Sequence, residues 1–268
     1  MSPLAARGVP NERDRARPDG RHEIALDVRD LTGPADHAVL RDVSIAVPAG
    51  ATHVVLGAIH AGKSLLLRLI LGLERAKRGT VAIDGEAFDA ARPDDAAVRR
   101  ARRHVGVVFD SSALVSRLSL LENVELPLVE HTDMSANDAR DACAELMRQV
   151  GLAGGIERTP DTVSRLDRRR AAIARAVVLQ PSILLIDEPG HGLDSHGASE
   201  LDDTLDGLQE RYGFAMLICS QEVRYAVRPG VTISVLAHGA IAESGDIDRL
   251  RRSPHTEVRR LIDRRGAA

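Results

Sequence analysis

One segment of eight residues constrains the fold more than any other part of the chain. Residues 57–64 read Gly-Ala-Ile-His-Ala-Gly-Lys-Ser, which fits the pattern G-x-x-x-x-G-K-S/T. A short apolar run at residues 52–56 precedes the segment, and an apolar helical pattern at 64–73 follows it. A strand that enters a glycine-rich loop and continues into a helix is the setting in which this pattern binds phosphate groups.

The loop predicts which groups bind a nucleotide and its metal. We expect backbone N–H groups to surround the phosphates, Lys63 to reach the β- and γ-phosphates, and the Ser64 hydroxyl to bind Mg²⁺. The cofactors implied are therefore ATP and Mg²⁺. Lys63 and Lys77 are the only lysines in an arginine-rich chain, so a lysine in the loop indicates a need for a compact ammonium. The residues assigned to nucleotide binding here are Gly57, Ala58, Ile59, His60, Ala61, Gly62, Lys63 and Ser64.

A second segment supplies acidic groups. Residues 183–189 read Ile-Leu-Leu-Ile-Asp-Glu-Pro, a buried-strand pattern that ends in two carboxylates. In a site of this kind Asp187 would hold Mg²⁺, and Glu188 would polarise the attacking water as a general base. An acidic turn after a buried strand can be purely structural, but its combination with the phosphate-binding loop favours the catalytic interpretation.

The hydrophobic pattern as a whole predicts an α/β fold. Strand-like runs are separated by helical ones, which indicates a mostly parallel sheet with helices on its faces. In the middle of the chain, Ser119 and Glu122 form a capping-box pattern, and Ser135 and Gly151 are placed to bound a further helix. Residues of about 111–168 are therefore predicted to form an inserted α-helical subdomain. Further helices are predicted at about 168–179 and at 201–212, and a basic amphipathic helix at 254–265.

Composition and charge exclude several classes of protein. The net charge of −3 argues against a broadly basic nucleic-acid-binding protein, so we expect no nucleic-acid partner. No apolar run approaches the roughly 20 residues needed to span a bilayer, so membrane contact is expected through a partner. Residues 1–22 lack an apolar signal-peptide core and are predicted to be a disordered tail. The two cysteines, Cys143 and Cys219, lack metal-ligand or redox spacing, which is typical of a reducing compartment.

Two further features accompany the phosphate-binding loop and the acidic segment: the sequence Gly192-Leu193-Asp194 and an arginine- and alanine-rich run before residue 183. Together these motifs resemble the nucleotide-binding domain of ABC transporters over about residues 23–262. The resemblance implies a P-loop NTPase (RecA-like) fold: a mostly parallel sheet core, an antiparallel β portion and the helical subdomain. It implies a nucleotide-binding domain at 23–245 and a C-terminal helical tail at 246–268. It further implies a second nucleotide-binding subunit, as a homo- or heterodimer, and an integral-membrane permease. The expected location is cytoplasmic, peripheral to the inner face of the cell membrane.

Three further stretches are most similar to the Mla/Mce-type lipid-transport ATPases of that family. They are residues 105–114, residues 121–132, and residues 244–250 followed by Pro254. This closer resemblance implies transport of lipid or phospholipid. A lipid-binding substrate protein is then an additional expected partner.

Several positions depart from the family pattern. In place of the signature loop Leu-Ser-Gly-Gly-Gln, residues 163–167 read Val-Ser-Arg-Leu-Asp. Ser164 either caps the following helix or contacts the partner's nucleotide, where Arg165 could bring positive charge to the γ-phosphate. Asp110 replaces the Q-loop glutamine and could ligate Mg²⁺ through its carboxylate. Gln221 replaces the switch histidine and can hydrogen-bond a γ-phosphate but cannot carry its proton.

These departures leave two functional hypotheses. Groups that bind phosphate and Mg²⁺ persist, whereas those that sense the γ-phosphate or close the dimer are altered. The first hypothesis is an ATPase subunit that works slowly or only with its partners to drive a permease, with Glu188 and Gln221 in the catalytic roles. The alternative is a catalytically inactive nucleotide-binding subunit with a regulatory or structural role. A soluble P-loop kinase is disfavoured by Glu188 and by the Gly-Leu-Asp sequence at 192–194.

Overall fold

The computed structural model describes residues 24–34, 39–152 and 154–263. The tail predicted at residues 1–22 lies outside the described residues. In chain order the elements are β1 (Ile24–Gly33), β2 (Leu40–Pro48), β3 (Thr52–Gly57), α1 (Lys63–Ile70), β4 (Arg78–Ile83), β5 (Glu86–Asp89), α2 (Asp95–Arg102), β6 (Val105–Val108), α3 (Leu120–His131), α4 (Ala136–Gln149), α5 (Arg165–Val177), β7 (Ile183–Asp187), α6 (Ser195–Tyr212), β8 (Ala215–Ser220), β9 (Thr232–Ala237), β10 (Ala240–Gly245), α7 (Ile247–Arg251) and α8 (Thr256–Ile262).

The strands form two sheets. The larger sheet has the order β10-β9-β3-β8-β7-β6, and all its pairings are parallel except that of β9 with β10. The smaller sheet has the order β2-β1-β4-β5 and is antiparallel throughout. The α/β fold, with a mostly parallel core sheet and an antiparallel portion, is thus confirmed.

Strand β7 separates two hydrophobic cores. Leu184 and Ile186 contribute to the core that contains the buried residues of helices α3 to α6. Ile183 and Leu185 point to the opposite face, where they join residues of α1 and of the antiparallel sheet. Side chains alternate across a strand, so a strand buried on both faces has the continuous apolar sequence that β7 shows.

The predicted helix starts in the middle of the chain are confirmed by their caps. The Ser119 side chain accepts from the Glu122 backbone N–H at 3.1 Å, and the Glu122 carboxylate accepts from the Ser119 N–H at 2.7 Å. The Ser135 hydroxyl accepts from the Asp138 N–H at the start of α4. These caps satisfy N–H groups that the first helical turn leaves without partners.

Other element boundaries differ from the prediction. The helix expected at residues 168–179 is α5, which begins at Arg165 because Ser164 caps it; the Ser164 hydroxyl accepts from the Asp167 N–H at 3.0 Å. The helix expected at 201–212 begins at Ser195, where Asp194 supplies the cap. In the tail, α7 precedes α8, and α8 is shorter than the predicted helix at 254–265.

Four elements were not predicted, namely strands β5, β6 and β10 and helix α2. Helix α2 is short and rich in arginine, so its apolar face consists of Ala97, Val98 and Ala101 alone. Strand β6 has four residues, too few to show a period. Among the described residues, no helix combines the length and apolar character that a bilayer crossing requires.

Candidate functional site

The candidate residues meet at one edge of the larger sheet. Strands β3, β8 and β7 are parallel neighbours, and they end at Gly57, Ser220 and Asp187. The carboxyl ends of parallel strands form the crevice in which open α/β sheets bind their ligands. Sequence-distant segments are therefore brought together where the glycine-rich loop begins.

The loop conformation explains its glycine. Gly62 has a φ of 105°, and a side chain there would place its Cβ 2.7 Å from the Leu40 Cδ2 atom. Helix α1 begins at the next residue, Lys63, one position before the predicted start. The loop thus delivers the free N–H groups of a helix N-terminus to the crevice, which is the arrangement that favours an anion.

Lys63 is buried at the centre of the site. Its side chain is only 6% exposed, and its Nζ donates to the carbonyl oxygens of Gly57 at 2.9 Å and Ala58 at 3.0 Å. The Nζ also lies 3.1 Å from Oε1 of Glu188. The ammonium therefore has partners for its three N–H groups, and one of these is the predicted general base.

Glu188 connects the loop to the end of β8. Its Oε2 accepts from the Ser220 hydroxyl at 3.0 Å and from the Gln221 backbone N–H at 3.2 Å. Its own N–H donates to the Cys219 carbonyl at 2.8 Å. The two residues predicted to be catalytic, Glu188 and Gln221, are thus in direct contact through backbone and carboxylate.

Asp187 and Ser64 form the part of the site that suits a cation. Asp187 is 4% exposed, and burial raises the pKa of its carboxyl group, while the polar side chain of Ser64 acts to lower it. The Oδ1 atom of Asp187 is buried without a hydrogen-bond partner. Hard oxygen donors and an unpartnered carboxylate oxygen fit Mg²⁺, which takes one or two protein ligands and completes its shell with phosphate and water. Among the described residues no group of three or more His, Cys, Asp or Glu could hold a metal ion by itself.

Asp110 has partners of a different kind. Its Oδ1 lies 2.8 Å from Nδ1 of His191 and 3.4 Å from an Nη atom of Arg169. Its negative charge also contributes to raising the pKa of Asp187, so Asp110 is within electrostatic reach of the metal-binding carboxylate. Its role as an Mg²⁺ ligand stays a prediction.

Two residues of this cluster, Arg169 and His191, were not singled out from the sequence. Arg169 lies in the arginine run at 168–170, four residues after Arg165, and His191 stands between two glycines, three residues after Glu188. These sequence neighbours could have drawn attention to Arg169 and His191. They do not indicate contact with Asp110, because that contact joins residues far apart in sequence.

The altered signature loop is held by its own chain. Ser164 caps α5, and the guanidinium of Arg165 lies over the backbone of Gly192, where an added side chain would displace it. Gly192 has a φ of 72° and follows the acidic pair. The predicted contact of Ser164 and Arg165 with a nucleotide on a second subunit stays a prediction.

Comparison with known proteins gives one family. The family model described as ABC transporter matches residues 40–191. A glutamate transport ATP-binding protein, GluA of Corynebacterium efficiens, is 34% identical over 83% of this chain and 90% of its own length. The methionine import ATP-binding protein MetN 1 of Rhodococcus jostii is 32% identical, over 87% and 70%. The probable ribonucleotide transport ATP-binding protein mkl of Mycobacterium leprae is 32% identical, over 92% and 72%.

Solved structures agree with this result. A dimeric post-hydrolysis state of the ATP-binding cassette MJ0796 bound to ADP and Pi has a TM-score of 0.73 and 27% identity, covering 82% of this chain and 98% of the cassette. The cbiO1 subunit of Clostridium perfringens, part of the ABC transporter complex cbiONQ, has a TM-score of 0.74 over 89% of this chain and 99% of its own. At 20% identity, that second likeness bears on the fold alone.

Proposed function

We propose, because this chain belongs to the ABC transporter family of ATPases with ATP and Mg²⁺ as cofactors, that it hydrolyses ATP slowly or only together with its partners to drive a membrane permease. The observation that carries the proposal is the buried contact of Lys63 with Glu188, 3.1 Å apart, beside the Ser64–Asp187 pair. A phosphate-binding cation, a general base and a metal-binding pair thus share one crevice.

Each group of the crevice receives a role on chemical grounds. Lys63 and the backbone N–H groups of residues 57–64 bind the phosphates. Ser64 and Asp187 hold Mg²⁺, which neutralises phosphate charge when it is bound. Glu188 accepts a proton from the attacking water, and the Ser220 and Gln221 contacts orient its carboxylate.

Slow or partner-dependent turnover follows from the altered positions. Gln221 cannot carry the proton that a switch histidine would hold. Arg165 and Leu166 add bulk where the family has glycines that let the backbone approach a phosphate closely. These same observations favour the second candidate function, a nucleotide-binding regulatory or structural subunit that does not hydrolyse ATP.

The setting and substrate are further parts of the proposal. We place the chain at the cytoplasmic face of a cell membrane, in a dimer of nucleotide-binding subunits attached to an integral-membrane permease. The resemblance at residues 105–114 and 121–132 supports lipid or phospholipid as the transported substrate, with a lipid-binding substrate protein as partner. The relatives above carry the names of glutamate, methionine and ribonucleotide transport, so the substrate requires its own measurement.

Steady-state ATP hydrolysis by the protein co-purified with its membrane partners tests the catalytic proposal. We expect turnover that Glu188→Gln lowers by about a hundredfold or more, because a positioned general base contributes at least that factor. The matched control is Glu86→Gln, which makes the same exchange in an exposed ion pair with Arg100 and should leave turnover unchanged.

Two outcomes decide between the candidates. Turnover equal to that of Glu188→Gln, with nucleotide binding retained, contradicts the ATPase proposal and leaves the regulatory subunit. For the substrate, hydrolysis by the reconstituted complex is compared in the presence of phospholipid, glutamate, methionine and ribonucleotide. Stimulation by one of the soluble compounds and not by phospholipid would reject lipid transport.

A further inference from the structure

A continuous chain of side-chain and backbone contacts lies beside the nucleotide crevice. From helix α5, Arg169 donates to the Phe109 carbonyl at 2.8 Å and lies 3.4 Å from Oδ1 of Asp110. The same Asp110 oxygen lies 2.8 Å from Nδ1 of His191. The His191 N–H donates to the Glu188 carbonyl at 3.1 Å. The contacts therefore run without a gap from α5 to the backbone of the residue proposed as the general base.

Burial of Arg169 favours a charged partner for its guanidinium. Arg169 is 1% exposed, and a buried guanidinium requires a charged or strongly polar partner. Asp110 supplies that charge, whereas the glutamine expected at this position would not. His191 can donate its Nδ1 proton to the carboxylate whether or not the ring is charged, so the second contact needs no particular protonation state.

A second set of contacts joins α5 to the same loop and to the start of α6. Arg165 covers Gly192 with its guanidinium, and the Leu166 side chain lies against Gly197 at the start of α6. Arg165 and Arg169 are four residues apart and so lie on one face of α5. On that face, Arg165 contacts the loop at residues 188–194 directly. Arg169 reaches the same loop indirectly, through Asp110.

We propose that Asp110 is a positioning residue that joins α5 to the loop carrying Glu188, with Arg169 and His191 as its two anchors. A displacement of α5 is then transmitted to residues 188–194, and so to the Glu188 carboxylate, through contacts with two discrete states, joined or separated. The catalytic meaning of this link rests on the proposed function, in which Glu188 is the general base.

Hydrogen–deuterium exchange of the full-length protein tests the link without any requirement for activity. In Asp110→Asn and in His191→Ala we expect the amides of residues 188–194 to exchange about two- to fivefold faster, because the first change removes the charge from both contacts of Asp110 and the second removes one of those contacts. The double variant should exchange no faster than the more affected single variant, since both changes break one link. Glu86→Gln, which removes an exposed carboxylate elsewhere, should not alter these amides.

Unchanged exchange in both single variants would overturn the proposal. So would a purely additive double variant, since the two residues would then act independently.

Kinetics of the complex with its membrane partners separate positioning from metal binding. Under the proposal, both variants lower kcat by about tenfold, while the ATP and Mg²⁺ concentrations for half-maximal rate change by less than about twofold. A raised Mg²⁺ requirement in Asp110→Asn, with His191→Ala unaffected, would identify Asp110 as a metal ligand and reject the link. If the unaltered complex does not hydrolyse ATP, the proposed function fails, and the exchange experiment still decides whether the link exists.

Discussion

His53 is a buried base that the folded protein keeps neutral. Its Nε2 lies 2.9 Å from the Ser234 hydroxyl inside the larger sheet. Burial lowers its pKa to about 4, and the nearby backbone of Ala46 offsets the effect only in part. In the unfolded chain the pKa returns to about 6.5. Between these values the unfolded chain binds a proton that the folded chain does not.

The stability of the protein should therefore depend on pH through His53. The contribution is fully present above about pH 6.5 and is lost as the pH falls toward about 4, with a total of about 3 kcal/mol in the free energy of unfolding. Urea denaturation of His53→Gln at several pH values should show a shallower slope over this window. The control is His238→Gln at an 81% exposed position, which should keep the original slope. An equal slope in all three proteins would contradict the prediction.

At the level of single residues, the sequence predicted what is local and missed what is not. The loop at 57–64 and the Asp187–Glu188 pair were predicted because strand, turn and helix signals surround them within a few positions. The ion pair of Asp110 with Arg169 spans 59 positions, and its contact with His191 spans 81. No pattern of nearby residues predicts a contact that depends on how the helical region lies against the sheet.

At the level of elements, the packing of α5 on β6 depends on one residue without a side chain. A Cβ atom at Gly106 would overlap the carbonyl oxygen of Ala176 and would lie 3.0 Å from the Leu184 side chain. The carbonyl belongs to the backbone of α5, so it cannot rotate away as a side chain could. The helix that carries Ser164, Arg165 and Arg169 thus approaches the sheet closely at this point.

Gly106→Ala should destabilise the protein by about 1–3 kcal/mol, the usual result of forcing an extra carbon into a packed interior. The matched control is Gly207→Ala in α6, where nothing lies within 4 Å of the added carbon. That exchange should stabilise by about 0.5–1 kcal/mol, because alanine loses less backbone entropy than glycine in a helix. Urea denaturation of both variants measures the two effects. A neutral Gly106→Ala would mean that α5 can move away from β6.

Helices and strands were predictable from the sequence where a capping residue or a long hydrophobic periodicity marks them. Helices α3 and α4 have serine caps and lengths of 12 and 14 residues, and the sequence located both. The predicted start of α5 was three residues late, because Ser164 could be interpreted either as a helix cap or as a family signature residue. Strand β6 and helix α2 offer four and eight residues with little periodicity, and their places depend on pairing with β7 and on contact with β4 and β5.

For the whole molecule, the fold class was predictable but the strand order was not. Alternation of strands and helices predicts a parallel sheet with helices on its faces. It does not say that β3 lies between β8 and β9, a pairing of segments about 165 to 180 residues apart. This arrangement brings the ends of β3, β8 and β7 to one crevice, so the nucleotide site is a property of the complete sheet and not of its motifs separately.

Nucleotide binding should consequently stabilise the whole molecule. At about 100 times its Kd, Mg-ATP is expected to add about 2.7 kcal/mol to the free energy of unfolding. For a chain of this size that corresponds to a rise of roughly 5–10 °C in Tm, measured by calorimetry against the nucleotide-free protein. Lys63→Ala removes the buried ammonium and should abolish the rise, each variant being compared with its own nucleotide-free Tm.

The other lysine in the sequence provides the control. Lys77 is exposed on the approach to β4, so Lys77→Ala should keep the full rise in Tm. A rise that survives in Lys63→Ala would place the stabilising nucleotide outside the glycine-rich loop. Loss of the rise in both variants would point to a general effect of charge, because each exchange removes one positive charge. Only loss in Lys63→Ala alone fits a phosphate held by the loop at the carboxyl end of β3.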